Sequence, residues 1–271
     1  MEAQSMYDSF NRRINYLRIS VTDRCNLRCR YCMPAEGVQL LSHDEILRFD
    51  EIMEVVDIAV SRGVDKIRIT GGEPLVRKGV VELIAMIAKL EGVKDLGMTT
   101  NGLLLEQYAV ALKEAGLMRV NISMDTTDPD RYREITRIGD ISLLFRGIKA
   151  AVSAGLTPVK LNCVIKKTPE EPDAQLVKRF AEDNGLQVRF IHEMNLETGY
   201  FRPVIGGDGG DCKKCNRLRL TSNGIIKPCL FSSDGFSVRE LGAAIALEKA
   251  LRAKPKSGGV NSRDEFYNLG G

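Results

Sequence analysis

The chain has 271 residues, a length that suits one large domain or one domain with a small appendage. Hydrophobic residues make up 44% and charged residues 28%, values that exclude a disordered tail and a membrane protein. The net charge of +3 is too small to indicate nucleic-acid binding, and no apolar run approaches the roughly 20 residues of a membrane span. The polar N-terminus lacks the pattern of a signal peptide. This predicts a cytoplasmic protein whose seven cysteines bind metal or catalyse rather than form disulfides.

Six strand-like segments alternate with five helical patterns along the first two thirds of the chain. The predicted strands are short, apolar and partly β-branched, and lie at 16–21, 66–70, 95–100, 118–123, 158–164 and 187–192. The helical patterns lie between them, at 44–62, 80–90, 105–115, 141–154 and 172–184. Ser42 with Glu45 predicts a capping box for the first helix. Four helices are followed by glycines, where a left-handed residue is expected: Gly63, Gly116, Gly155 and Gly185.

This rhythm predicts an α/β fold with a parallel sheet, and we favour a partial (β/α)6 TIM-like barrel over residues 1–200. Functional residues should then gather at the carboxyl ends of the strands. After about Tyr200 the rhythm stops. A Gly-rich connector at 205–211 leads to a cysteine-containing stretch and a helical pattern at 237–253, so residues 201–271 are predicted to form a small second unit.

Three cysteines lie within eight residues directly after the first predicted strand: Cys25, Cys29 and Cys32. Thiolates are the ligands of iron–sulfur clusters, and a full [4Fe–4S] set needs four of them. Three thiolates leave one iron open to an exogenous ligand, by the same logic as an open catalytic zinc site. The alternatives are a structural zinc knuckle or incidental core cysteines.

A second triad follows in the C-terminal part, with the spacing Cys-x2-Cys-x13-Cys: Cys212, Cys215 and Cys229. No fourth ligand is obvious, since the spare Cys163 lies within a predicted strand and is expected to be buried. A structural zinc site is the alternative. An open second cluster would place a Lewis-acidic iron opposite the first one, where it could hold a substrate heteroatom.

The spacing Cys-x3-Cys-x-aromatic-Cys, with Tyr31 in the aromatic position, resembles the signature of the radical S-adenosylmethionine (SAM) superfamily. The element Gly71-Gly72-Glu73-Pro74 after the second strand resembles that superfamily's motif for the cofactor's amine. The resemblance implies a [4Fe–4S] cluster at the first triad with SAM on its open iron. It also implies cleavage of SAM to a 5′-deoxyadenosyl radical that takes a hydrogen atom from the substrate.

The second triad and its surroundings resemble the GTP 3′,8-cyclase family of molybdenum-cofactor biosynthesis (the MoaA family). The matching stretches are 17–25, 66–74, 158–162, 189–191, 212–221 and 227–230. The resemblance implies two [4Fe–4S] clusters, SAM, and a lyase that converts GTP to (8S)-3′,8-cyclo-7,8-dihydroguanosine 5′-triphosphate. Its expected partners are GTP or a related nucleotide and an electron donor of the flavodoxin or ferredoxin type. A homodimer is left open, and neither nucleic acid nor membrane is expected as a partner.

Carried over residue by residue, the resemblance implies two contact sets, while no catalytic residue is assigned. The expected SAM contacts are Tyr31, Gly71, Gly72, Glu73, Ser123 and Met194. The expected GTP contacts are Arg18, Arg68, Thr99, Lys160, Arg217, Arg219, Gly270 and Gly271, the last two because the family's C-terminus reaches the active site. The charges agree with this, because a cation inside an otherwise apolar barrel needs an anionic partner. The alternative is that these cations face outward or pair with Glu73 and Asp125.

The resemblance weakens between Arg189 and Cys212, where only about 20 residues stand in place of the family's longer segment. The substrate cavity could therefore be more open, and a MoaA-like enzyme with a different nucleotide or a peptide as substrate remains an alternative. A non-enzymatic cluster-binding sensor is a third interpretation. His192 is expected to be a satisfied structural histidine at a strand end, with a proton carrier as the alternative.

Overall fold

The computed structural model describes residues 5–194 and 202–258, which form a nine-stranded sheet flanked by helices. Its first six strands are parallel and lie side by side in chain order, which confirms the predicted partial barrel. They are β1 (Tyr16–Ser20), β2 (Lys66–Thr70), β3 (Asp95–Thr100), β4 (Arg119–Ser123), β5 (Lys160–Ile165) and β6 (Gln187–His192).

Six helices follow the strands of the barrel. They are α1 (Phe49–Ser61), α2 (Val80–Ala88), α3 (Leu105–Glu114), α4 (Pro129–Thr136), α5 (Ile141–Ser153) and α6 (Pro172–Asp183). The sequence analysis missed α4, which is short and strongly charged, so that it buries only Tyr132 and Thr136. Its start is fixed by Asp128, whose carboxylate accepts a hydrogen bond from the Arg131 N–H at 2.7 Å.

The predicted start of the first helix is wrong. The Glu45 carboxylate does accept hydrogen bonds from the backbone and hydroxyl of Ser42, at 2.8 Å each, but this arrangement closes a turn. The helix begins at Phe49, five residues after the predicted start at 44, and there the Glu51 carboxylate accepts from the Arg48 N–H at 2.8 Å. Only this second pair is followed by a face of residues that the core can bury, beginning with Ile52 and Val55.

The C-terminal part extends the barrel's own sheet through three strands that the sequence analysis did not predict. They are β7 (Arg217–Leu220), β8 (Ile225–Lys227) and β9 (Phe236–Ser237), with β7 parallel to β1. The helical pattern at 237–253 forms two helices, α7 (Val238–Leu241) and α8 (Ala243–Arg252), because Gly242 between them has a φ of 76°. The division of the chain at residue 200 stays a prediction, since residues 195–201 lie outside the described part.

The apolar core lies between the sheet and its helices. Alternate residues of the strands belong to it, including Leu17 and Ile19 of β1 and Ile67 and Ile69 of β2, each at most 1% exposed. The intervening residues of the same strands therefore point to the inside of the barrel. Within the described residues, no helix is both long and apolar enough to cross a bilayer.

Candidate active site

The first triad lies in the loop that follows the carboxyl end of β1. A turn holds its last two members together, because the Cys32 N–H donates to the Cys29 carbonyl oxygen at 3.0 Å. The sulfur of Cys25 accepts a hydrogen bond from the Leu27 N–H at 3.4 Å. Sulfur atoms that already accept backbone hydrogen bonds are suited to carry the negative charge of a metal-bound thiolate.

The three thiols are close enough to affect one another's ionisation. Burial, and after it the charges of Cys32, Asp125 and Cys25, raises the pKa of Cys29. Burial and the charges of Cys25 and Asp125 raise the pKa of Cys32 to about 11. A group of cations such as the irons of a cluster would reverse these shifts and ionise all three thiols. The chemistry of this donor set therefore fits a cluster with three protein ligands.

Gly71 and Gly72 lie directly beneath the first-triad loop. A Cβ on Gly71 would lie 2.8 Å from the Thr22 carbonyl oxygen, and one on Gly72 would lie 2.8 Å from that of Asp23. The Gly72 N–H donates to the Thr22 carbonyl oxygen at 2.8 Å. Two glycines are needed here because the two backbones touch, and they position the loop that carries the cysteines.

Glu73 is fully buried, and its carboxylate oxygens are already occupied. They accept hydrogen bonds from the Thr100 hydroxyl at 2.8 Å, the Asn101 N–H at 2.7 Å and the Leu75 N–H at 3.0 Å. Burial raises the pKa of Glu73 to about 7, although these hydrogen bonds act in the opposite direction. The carboxylate therefore ties the end of β2 to the end of β3, and its contact with a cofactor amine stays a prediction.

Tyr31 connects the first-triad loop to the end of β4. Its hydroxyl donates to a carboxylate oxygen of Asp125 at 2.8 Å, and the other oxygen accepts from the Val164 N–H at 2.8 Å. Ser123 ends β4 and is half-buried near this junction, whereas Met194 is 37% exposed beyond β6. Roles in SAM binding stay predictions for all three expected contacts.

Three arginines form a row across neighbouring strands inside the barrel. In β1, Arg18 pairs in register with Arg68 of β2 and with Arg219 of β7. Arg68 is only 2% exposed and Arg219 only 8%. The next strand leaves space for this row, because Gly97 of β3 lies opposite Arg68 and has no side chain. The prediction of an otherwise apolar interior is wrong, since nearly every inward position of these strands is polar.

Five arginines of the inner strand faces carry a buried nitrogen with no hydrogen-bond partner in the described part of the chain. They are the Nε atoms of Arg18, Arg68, Arg189 and Arg217 and one Nη atom of Arg119. Leaving such groups without a partner is costly, so the barrel interior is built for an anionic ligand. The alternative partners, Glu73 and Asp125, are engaged by the groups described above, so that interpretation is wrong.

Further cations line the same inner face. Lys160 of β5 is within electrostatic reach of Arg189, Arg119, Arg68 and Lys66, and its burial together with their charges lowers its pKa. Thr99 is half-buried on β3 beside Asn121 of β4. The sequence analysis missed three of these cations, Lys66, Arg119 and Arg189. Their signal was the period of two in β2, β4 and β6, which places each of them on the inward face.

Asp95 of β3 is an acidic group among these cations that the sequence analysis missed: it pairs with Arg119, and the Nζ atom of Lys66 lies 3.4 Å from its carboxylate.

Tyr16 is a second acidic group among these cations that the sequence analysis missed. It is 6% exposed, and the Nζ atom of Lys66 lies 4.9 Å from the centroid of its ring. Burial by itself raises the pKa of Tyr16, but the charges of Arg18, Arg68 and Arg217 outweigh it and lower the pKa to about 7. Its phenolate therefore compensates part of the positive charge.

The second triad lies at the opposite end of the barrel from the first. Cys25 follows the carboxyl end of β1, whereas Cys215 precedes the amino end of β7, which runs parallel to β1. Cys229 follows β8, which runs back toward the same end. The expectation that functional residues gather at the carboxyl ends therefore fails for this triad, and an open iron opposite the first cluster stays a prediction.

The surroundings of the second triad are electropositive. The Nζ atom of Lys254 lies 3.4 Å from the sulfur of Cys215, and the Gly258 N–H donates to the sulfur of Cys212 at 3.3 Å. Burial raises the pKa of Cys215, but Lys254 and Arg217 outweigh it and lower the pKa. Donors directed at sulfur fit thiolates that ligate a metal centre.

Among residues 5–194 and 202–258, no three His, Cys, Asp or Glu side chains are arranged to hold one metal ion.

Three remaining expectations have different outcomes. Cys163 is fully buried, as expected of a spare cysteine in a strand. The Nε2 atom of His192 lies 3.1 Å from the Lys167 carbonyl oxygen, but its buried Nδ1 has no partner in the described chain, so it is only half satisfied. Gly270 and Gly271 lie outside the described residues.

The comparisons with known proteins agree with this geometry. Residues 19–180 match the model of the Radical SAM superfamily. Curated GTP 3′,8-cyclases are similar over most of their length: the protein of Alkaliphilus oremlandii is 46% identical over 84% of each chain. That of Petrotoga mobilis is 40% identical over 96% of this chain and 97% of its own. The chain belongs to the GTP 3′,8-cyclase family of radical SAM enzymes.

Solved structures of other radical SAM enzymes share the fold of this family member. Streptococcus suis SuiB bound to S-adenosylmethionine is 17% identical and has a TM-score of 0.65 over 94% of this chain and 67% of its own. AnSMEcpe with bound AdoMet is 17% identical and has a TM-score of 0.64 over 89% of this chain and 78% of its own. At this identity the likeness concerns the fold alone.

Proposed function

We propose that this radical SAM enzyme converts GTP to (8S)-3′,8-cyclo-7,8-dihydroguanosine 5′-triphosphate in molybdenum-cofactor biosynthesis. One observation carries the proposal: an inner face rich in incompletely paired arginines lies between two cysteine triads at opposite ends of one barrel. An anionic substrate held there would have one triad on either side. Curated relatives named GTP 3′,8-cyclases support the same substrate.

Cys25, Cys29 and Cys32 would hold one [4Fe–4S] cluster together with SAM, which when bound supply the radical that abstracts hydrogen. At this end of the barrel, the chain's own residues fix the position of the loop that carries these three cysteines. Gly71 and Gly72 support it from below, and the hydrogen bond from Tyr31 to Asp125 fixes it to β4. A loop fixed in this way holds the reactive end of the cofactor against the barrel interior and limits access of water.

Arg18, Arg68 and Arg219, together with Lys160 and Arg217, would bind the nucleotide. The forked donors of the arginines suit the oxygens of a triphosphate, and Lys160 adds a single ammonium. The Nε atoms of Arg18, Arg68 and Arg217 have a further hydrogen bond to offer. Thr99 offers a hydroxyl on the same inner face. Gly270 and Gly271 would complete this site, as the family resemblance implies.

Cys212, Cys215 and Cys229 would hold a second [4Fe–4S] cluster whose open iron takes part in binding GTP. Several finer points belong to the same proposal. The enzyme acts as a lyase in the cytoplasm and receives electrons from a flavodoxin- or ferredoxin-type donor. A homodimer is the assembly to test first, and residues 201–271 form the C-terminal iron–sulfur module.

The test is anaerobic reconstitution with iron and sulfide, followed by incubation with SAM, a reductant and one nucleoside triphosphate. GTP should yield 5′-deoxyadenosine and the cyclised triphosphate in equal amounts, while ATP should yield neither above background. Faster SAM cleavage with a peptide or another nucleotide, without cyclised product from GTP, would favour the alternative substrates. No 5′-deoxyadenosine under any condition would favour a sensor.

A further inference from the structure

Lys254 is a buried lysine at the second triad that the proposed function leaves without a role. It follows α8 and is 3% exposed. Its ammonium donates to the Arg217 carbonyl oxygen at 2.7 Å and to the Pro228 carbonyl oxygen at 2.9 Å, and it lies 3.4 Å from the sulfur of Cys215. The three donor positions of an ammonium are thus all directed at the triad segments.

These contacts join two separate stretches of the chain. Arg217 lies two residues after Cys215, and Pro228 directly precedes Cys229. The side chain of Lys254 therefore spans the gap between the β7 segment and the β8 segment, which carry different thiols of the same triad. None of these three partners is a carboxylate, so a full negative charge near the ammonium has to come from thiolate sulfur.

The segment that carries Lys254 is fixed on both sides. Before it, Ala246, Leu247 and Ala250 of α8 are completely buried in the core. After it, the Arg12 guanidinium donates to the Pro255 carbonyl oxygen at 2.6 Å and to the Cys212 carbonyl oxygen at 2.6 Å. The buried helix before Lys254 and the hydrogen bonds after it thus hold the lysine next to the triad, as expected of a preorganised supporting group.

We propose that Lys254 is a positioning residue of the second triad, which holds the Cys215 and Cys229 segments together and stabilises the charge of the thiolates that bind a cluster there. The inference rests on the proposed function in one respect, namely that this triad binds a cluster. A hydrogen bond from a cation to a ligand sulfur also makes a cluster easier to reduce. Lys254 should therefore affect both the retention and the reduction potential of the second cluster.

The experiment compares Lys254→Met with Lys256→Met in the full reconstituted chain. Methionine keeps the volume and removes the charge, and the exposed side chain of Lys256 lies on the same segment. We expect Lys254→Met to fall from about eight irons per chain to about four on brief exposure to a chelator, while Lys256→Met keeps about eight. The electron paramagnetic resonance spectrum of the first cluster and the melting temperature should be unchanged in both variants, which shows that the first cluster and the fold are intact.

Redox titration followed by electron paramagnetic resonance gives the second readout. In Lys254→Met, the second cluster that remains should be reduced at a more negative potential. Lys254→Arg should restore part of the iron retention and part of the reduction potential. Full iron retention with an unchanged potential in Lys254→Met would overturn the inference. If the unaltered protein itself holds only about four irons, and Cys215→Ala loses none, the proposed function fails instead.

Discussion

Arg18, Arg68 and Arg219 lie side by side because β1 pairs in register with both β2 and β7. Three like charges in a row oppose folding unless something compensates them, and within the described residues their carboxylate neighbours are few. Each of these arginines is therefore expected to destabilise the ligand-free protein and to strengthen the binding of an anion. Tyr16 lies two residues before Arg18 on β1, and its phenolate compensates part of this positive charge in the ligand-free protein.

Replacing Arg68 should lower the affinity for triphosphate without lowering the stability of the ligand-free protein. In Arg68→Met the ligand-free protein should melt at the same temperature or slightly higher, because a buried cation with an unpaired Nε is removed. Triphosphate affinity should fall about 10- to 100-fold, the value of a charged hydrogen bond. Differential scanning fluorimetry and equilibrium binding measure the two effects. Arg239→Met is the matched control: Arg239 pairs with Glu51 at 2.8 Å, so its loss should lower stability slightly and leave affinity unchanged.

Tyr16 should make triphosphate binding depend on pH. Lys66 and Arg68 face it from β2, Arg217 from β7 and Arg18 from its own strand, and together they lower its pKa to about 7 despite burial. As pH rises from 7 to 9 the phenolate competes with the ligand, so affinity should fall by up to about tenfold per pH unit. Tyr16→Phe should lack this decline when inorganic tripolyphosphate is titrated at each pH. Parallel pH profiles in the two proteins would contradict the prediction.

The lowered pKa of Tyr16 also makes the stability of the folded protein depend on pH. Because the pKa of Tyr16 is lower in the folded than in the unfolded chain, its contribution to stability is complete above pH 10 and is lost as pH falls through 7. Relative to Tyr16→Phe, the ligand-free protein should gain at most about 1.4 kcal/mol of unfolding free energy per pH unit between 7 and 10. Urea denaturation of both proteins across this range checks the sign.

At the scale of elements, the loops at the strand ends support one another through backbone contacts. The Gly71-Gly72 turn after β2 touches residues 22–24 after β1, and Glu73 bonds to residues after β3. The first triad therefore depends on two neighbouring strand ends as well as on its own loop. The sequence identified the Gly-Gly-Glu-Pro element, but its packing beneath the cysteine loop follows only from the order of the strands.

A single methyl group at this contact should dislodge the first cluster. In Gly72→Ala the added Cβ would lie 2.8 Å from the Asp23 carbonyl oxygen, so the cysteine loop has to move. We expect about half of the iron to be lost and SAM cleavage to disappear, while the spectrum of the second cluster persists. Gly185→Ala is the control, since its Cβ meets nothing within 4 Å. That variant should lose only about 1 kcal/mol of stability and no iron. Equal iron loss in both variants would count against this role of Gly72.

The whole molecule is organised by the parallel pairing of β1 with β7. This pairing joins the C-terminal strands to the barrel sheet and places the second triad at its amino end. The cationic inner face lies between the triads and unites the two parts of the chain around one site. An anion bound there should therefore stabilise the protein as a whole.

Triphosphate should raise the melting temperature of the ligand-free chain in a salt-dependent way. At a concentration of about 100 times the dissociation constant the gain is about 2.7 kcal/mol, which corresponds to a rise of about 5–10 °C. The rise should shrink between 0.05 and 0.5 M salt, roughly, because the contacts are charged. Inorganic tripolyphosphate should give most of the effect and guanosine little. A shift that guanosine reproduces, or that salt leaves unchanged, would place the ligand elsewhere.

The six parallel strands were predictable from the sequence because each carries a short apolar, β-branched run, and five of the helices because each has an amphipathic period. Both cysteine triads were predictable because their spacing is local. Lys66, Arg119 and Arg189 were missed because the period of two places a cation on the inward face of a strand but gives no sign of its partner. The start of α1 was missed because Ser42–Glu45 and Arg48–Glu51 offer the same local hydrogen bond.

The sequence by itself determined the ligand chemistry of this protein, since thiols, glycines and arginines keep their character wherever they lie. Only the tertiary structure decided that the two triads lie at opposite ends of one sheet and that Lys254 meets the second of them. These relations depend on contacts between residues far apart in the chain, such as Lys254 with Cys215 and Pro228. No local pattern encodes such pairs, because the free energy that selects them comes from packing the whole core at once.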